Sequence, residues 1–241
     1  EEFLRLAKQE NRPELLMMGL RKLGQNAFLD GDYENARSLL RQSLALYDPQ
    51  VHRDLTYEFG QEPGVPIHGW LSLAEWYLGN EPAAREHAEH CLSTARTINH
   101  ANTLGYGYTV AGVVLHIVMG DRDAAIGLAE TMLDSARQEQ LFMWIATGSF
   151  LQGWTRANDQ SLEISDREAA VAQMRQGADA LKSQKLLLLQ PFFCTYVGEA
   201  LAQLGRTKEA QDVFAEGLAI AEKTGERWQL ADLKRMQARY P

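Results

Sequence analysis

The chain has 241 residues, 45% of them hydrophobic and 23% charged, which excludes an intrinsically disordered polypeptide and leaves room for either one domain or a repeat array. Its formal net charge is -8, and its 24 Lys and Arg are dispersed, so no basic track is available for a nucleic-acid backbone. No stretch approaches the roughly 20 apolar residues that a membrane-spanning helix requires, and Cys91 and Cys194 lie singly inside apolar helical patterns, as small core residues of a reducing, cytoplasmic setting.

At the N-terminal end, Phe3, Leu4 and Ala7 form a partial apolar stripe, read as the remnant of a helix that ends before Pro13. A start at Glu1 without a leader pattern predicts a piece of a longer polypeptide. A helix is then expected over 14–29, a turn at Gly31 and Asp32, and a second helix with Ala36, Leu40 and Ser43 on one face. The figure repeats four times. Helices over 67–78, 103–119, 141–157 and 188–204 lead to turns at Gly79 and Asn80, Gly120 and Asp121, Asn158 and Asp159, and Gly205 and Arg206. The following helices carry Ala84, Ala88 and Cys91; Ala125, Ala129 and Met132; Ala170, Met174 and Gly177; and Ala210, Phe214 and Gly217.

Gly or Asn suits the left-handed position past a helix end, and Asp32, Asn80, Asp121 and Thr207 can cap the next helix. Small residues on the second helices let two helices approach closely, and so short a hairpin must stack on neighbours to bury both faces. The expected fold is therefore all-α, a tetratricopeptide-like α-solenoid forming a single domain over 1–241. Its hairpins fall at about 13–47, 66–98, 101–138, 141–184 and 187–223, with a capping helix at 226–239 carrying Trp228, Leu230, Leu233 and Met236. Turns recur every 38 to 48 residues, longer than the roughly 34 of a standard unit. A long loop over 48–65, containing Gly60 and Gly64, and a polar insertion over 159–165 supply much of the excess.

Several segments carry a resemblance over nearly the whole chain: Tyr47 to Gln50 with His52, Tyr57 to Val65, Leu71 to Gly79, Gly153 with Trp154, Met174 to Gly177, and Thr224 to Trp228. Here the sequence resembles the C-terminal tetratricopeptide-like repeat region of bacterial multidomain signalling proteins. Those proteins join an adenylate or guanylate cyclase domain to an AAA-type ATPase module. The resemblance implies a cytoplasmic, nucleotide-dependent parent whose array senses or recruits a partner. It implies no enzyme activity for this segment, because the cyclase and ATP-binding motifs lie in other domains. The insertion over 159–165 and His68 depart from that family, so ligand specificity is expected to be private to this protein.

Catalytic constellations are not evident. Lys182 and Ser183 lack the upstream glycines of a phosphate-binding loop. His87, His90 and Cys91 share helical spacing suited to zinc, but Cys91 belongs to a buried triad and no second ligand pair accompanies them. His100 is read as a helix-boundary residue, Glu81, Glu86 and Glu89 as a solvated face, and Trp70, Trp76, Trp144, Trp154 and Trp228 as packing residues. No catalytic residue, metal or cofactor is expected.

In stacked hairpins the first helices line the concave side. The predicted partner groove comprises Arg21, Gln25, Phe28, Trp76, Tyr77, Gln152, Arg156, Thr195 and Glu199, with Val110, Val114 and Ile117 between them. The expected partner is a protein or peptide, including other domains of the same polypeptide. The alternatives are a small-molecule effector in a pocket near Trp76 and 60–65, making the chain a sensor, and a homodimer.

Overall fold

The computed structural model describes residues 5, 7, 9, 11–52 and 54–241, and the described residues are helical with no strand. Phe3 and Leu4 lie outside them; Ala7 is helical and buried. No helix is long and apolar enough to cross a membrane. The chain divides into two compact units, Glu1–Ala124 and Ala125–Pro241.

In the first unit, α1 (Pro13–Leu29) packs on α2 (Tyr33–Ala45), and Gly24 lets the two backbones close until an added Cβ would sit 2.6 Å from Leu40. A short α3 (Leu55–Glu58) lies within the long loop, before α4 (Gly64–Tyr77). The helix α4 packs on α2 and on α5 (Glu81–Ile98). The buried carboxylate of Glu75 joins α4 to α2, accepting from Arg41 at 2.7 Å with Arg37 at 3.8 Å. The unit continues through α6 (Ala101–Gly107), a π-helical stretch Tyr108–Val114 and α7 (Leu115–Met119). Phe28 is fully buried, with ring centroids 5.3 Å from Trp70 and 5.7 Å from Tyr77.

In the second unit, α8 (Arg122–Gln138), which begins just before the boundary, is followed by the pair α9 (Phe142–Ala157) and α10 (Ile164–Ser183). A second pair, α11 (Gln190–Gln203) and α12 (Thr207–Thr224), is closed by α13 (Leu230–Arg239), which packs on both members. Trp228 lies ahead of α13, not within it, stacked on Phe192 at 5.7 Å and 10°. All five small-residue triads read from the sequence are buried.

Gly31, Gly79, Gly120 and Gly205 take the expected left-handed conformation, whereas Asn158 has φ -91° and its side-chain amide donates back to the Trp154 carbonyl. Asp32 and Asp121 accept amide protons of the following turn. Asn80 instead donates to Glu75, and Thr207 lies inside α12, so neither caps as expected: a nearby buried carboxylate competes for the first, and the helix starts too early for the second. Gly79 has φ 78° and Gly205 has φ 77°. Gly79→Val or Gly205→Val is therefore expected to lower stability by about 1–3 kcal/mol, read as a fall in urea midpoint; an unchanged midpoint would remove the turn assignment.

Candidate functional site

The structure separates the predicted groove residues by exposure and by unit. Arg21, Gln25, Phe28, Trp76 and Tyr77 belong to the first unit, as do Val110, Val114 and Ile117; Gln152, Arg156, Thr195 and Glu199 belong to the second. Phe28, Gln25, Thr195, Val110, Val114 and Ile117 are buried, so none presents its side chain to a partner. The physical reason is packing: Phe28 anchors an aromatic cluster with Tyr33, Trp70 and Tyr77, and the Thr195 hydroxyl donates to the Pro191 carbonyl of its own helix. Trp76, Tyr77, Gln152 and Glu199 are half-buried and Arg156 is exposed. The other four Trp side chains are buried, as the packing reading required.

Arg21 is the groove residue with unmet chemistry. Its Nη1 donates to Gln61 Oε1 at 3.2 Å, while its Nε–H is shielded from solvent and has no acceptor. Burial pulls its pKa below the usual guanidinium range. The adjacent Lys22 is also pulled down, first by burial and then by Arg21, and its ammonium reaches only Gln25. A desolvated guanidinium without a carboxylate is costly, by several kcal/mol in the general case, which marks a place where an incoming acid is favoured. Beside it, Trp70 Nε1 donates to the Tyr106 hydroxyl at 2.6 Å.

In the same loop as Gln61, Glu62 shares a cleft with residues of α5. A cleft of about 410 Å³ is lined by Tyr47, Pro49, Glu62, His68, His90, Ser93, Thr94, Thr97 and Ile98. The pocket expected near Trp76 and 60–65 is not this cleft, since Trp76 is absent from its lining and α5 forms one wall. The loop is held flush against Tyr47 by Gly64, where an added Cβ would lie 2.7 Å from the phenol ring. Tyr47 donates to Glu62 Oε1 at 2.6 Å, and Val65 N–H donates to Oε2 at 2.8 Å. Burial, together with the Glu62 carboxylate, pushes the Tyr47 phenol far above its usual range and keeps it a donor.

His68 was singled out only as a departure from the family, and the structure shows its company. Its Nδ1 lies 3.0 Å from Nδ1 of His87, and its ring stacks on His90 at 5.1 Å. Burial, then His87 and His90, lowers its pKa to about 4, so it is neutral at pH 7. The helix spacing of His87 and His90 was readable in the sequence, but the contact across α4 and α5 was not. Among the described residues, no group of three His, Cys, Asp or Glu could hold a metal ion. Cys91 is buried, its thiol donating to the Val65 carbonyl and pushed above its usual range by burial. His100 stands just before α6, its Nδ1 3.0 Å from Thr103 Oγ1.

No protein-family model matches the chain. It is similar to an uncharacterized protein of Rhizobium meliloti (strain 1021), with 21% identity over 234 residues, a match that covers 97% of this chain and 22% of that protein. The chain thus spans about a fifth of the length of the relative it matches.

Proposed function

We propose that the chain is a tetratricopeptide-like α-solenoid of about five hairpins with a terminal capping helix, acting as a non-catalytic binding and regulatory module of a bacterial signalling protein. The recurring pairs, α1 with α2, α4 with α5, α9 with α10 and α11 with α12, support the repeat reading. The sequence resemblance supports a parent carrying nucleotide cyclase and ATPase modules, and a relative several times longer is compatible with a multidomain parent. The occupant is a protein or peptide, from a partner or from the same polypeptide, in the cytoplasm.

The observation that carries this reading is Arg21: a predicted groove residue, half-buried, whose Nε–H is shielded from solvent without an acceptor and whose guanidinium has no acidic partner. A peptide carboxylate would supply the acidic partner that the fold does not give this guanidinium. Selection of peptides from a random display library on the immobilised protein tests it. Enriched peptides are expected to share an acidic residue and to bind Arg21→Gln at least tenfold more weakly; enrichment without acidic residues, or equal binding to the variant, would overturn the assignment. A second reading, a small-molecule sensor, is favoured by the 410 Å³ cleft, whose size is that of ordinary ligand sites.

A further inference from the structure

We propose that the cleft between the long loop and α5 binds a small organic cation bearing a primary ammonium, with the Glu62 carboxylate as its counter-charge. The proposal rests on the small-molecule reading and is independent of the Arg21 face. Glu62 is 1% exposed, and its side chain is met by neutral donors alone, the Tyr47 hydroxyl and the Val65 amide. Among the described residues, no Lys or Arg lines the cleft and no cationic side chain pairs with Glu62. A buried carboxylate with no cation gains most from a ligand that brings one.

The rest of the wall suits an ammonium. Each Glu62 oxygen keeps a second lone pair beyond the bonds named, and an ammonium offers three donors. Ser93, Thr94 and Thr97 add hydroxyl oxygens along one face of α5, and His68 and His90 add imidazoles, of which His68 is neutral and so does not repel a cation. Tyr47 offers an aromatic ring and Ile98 and Pro49 an apolar surface for the ligand's carbon frame. An anionic ligand would face Glu62 with no Lys or Arg among the described lining residues to offset it. A metal ion would need a convergent ligand set that the described residues do not form.

Calorimetric titration of the protein with 1,4-diaminobutane and benzylamine, against 1,4-butanediol, succinate and zinc chloride, tests the assignment. At least one amine is expected to bind ten or more times tighter than butanediol, with no heat from succinate. Glu62→Gln keeps an acceptor for Tyr47 and is expected to weaken the amine tenfold or more. Thr94→Phe, which fills the cleft from α5 with Glu62 untouched, is expected to abolish binding and decides the matter if Glu62→Gln does not fold. Silence with both amines, or amine affinity unchanged in a folded variant, overturns the proposal. Butanediol or succinate binding as well as the amines and blocked by Thr94→Phe would sink the cation assignment yet leave a small-molecule cleft. Zinc binding lost in Glu62→Gln would reassign the carboxylate to a metal.

Discussion

Gly177→Ala is expected to lower the stability of the second unit by about 3 kcal/mol, the upper end of what overpacking a well-filled interface costs, and to lower the melting temperature by about 10 °C. At Gly177 an added Cβ would lie 2.6 Å from the Ala146 carbonyl oxygen and 2.9 Å from the Phe150 nitrogen. Both are backbone atoms of α9, so no side-chain rotation relieves the clash. Gly153, on the facing helix, is in the reciprocal position, 2.8 Å from the Ala170 carbonyl oxygen and 3.0 Å from the Met174 nitrogen. Gly153→Ala should therefore behave alike, because the α9 and α10 backbones must separate in either variant. Gly127 on α8 has nothing within 4 Å of its would-be Cβ, and Gly127→Ala should instead stabilise by up to about 1 kcal/mol through helix propensity. Equal melting of wild type, Gly177→Ala and Gly127→Ala in a thermal scan would contradict the close packing of this pair.

Glu226→Gln is expected to remove a destabilising contribution that Glu226 makes as pH rises from 5 to 8, leaving the variant's stability higher relative to wild type at pH 8 than at pH 5. Glu226 is 5% exposed and accepts the Leu189 amide at 3.0 Å through Oε1. Burial raises its pKa to about 7, outweighing the Leu189 amide and the Trp228 indole, which favour the ionised form. Because the folded value exceeds the unfolded one, both states are protonated at pH 4 and the group is silent there. Between about 4.5 and 7 the unfolded chain releases the proton that the folded chain keeps, so the contribution of Glu226 to stability falls, by about 3 kcal/mol once pH exceeds 7. Urea unfolding of wild type and variant at pH 5 and pH 8 isolates this group, since His68, His87 and His116 titrate in both proteins. A wild-type pH dependence that the variant reproduces would show that Glu226 is ionised without penalty in the fold.

The contact of Glu226 with Leu189 was invisible in the sequence, where the run from Thr224 to Trp228 served only to mark a resemblance. The carboxylate is unusual because the chain folds Leu189, itself left-handed at φ 65°, against a segment 37 residues away. His68 is the same case, since its neighbours come from the next helix, and so is Glu62, which needs Tyr47 to bring it to the cleft wall. Phe28 and Gln25, predicted for the groove, are buried for a related reason. Helical periodicity places Phe28 and Gln25 on a face but does not say what lies over that face, and the aromatic cluster of Tyr33, Trp70 and Tyr77 lies over Phe28.

What the sequence determined by itself was local: helices from apolar period, turns from glycines that take positive φ, and the buried stripes of small residues whose spacing alone puts them on one side of a helix. Only the tertiary structure decided which polar groups are stripped of water and left with or without a counter-charge. Arg21, Glu62 and Glu226 differ little from other Arg and Glu in the written sequence. Desolvation and pairing depend on atoms brought near from distant positions, and a linear pattern does not encode those distances.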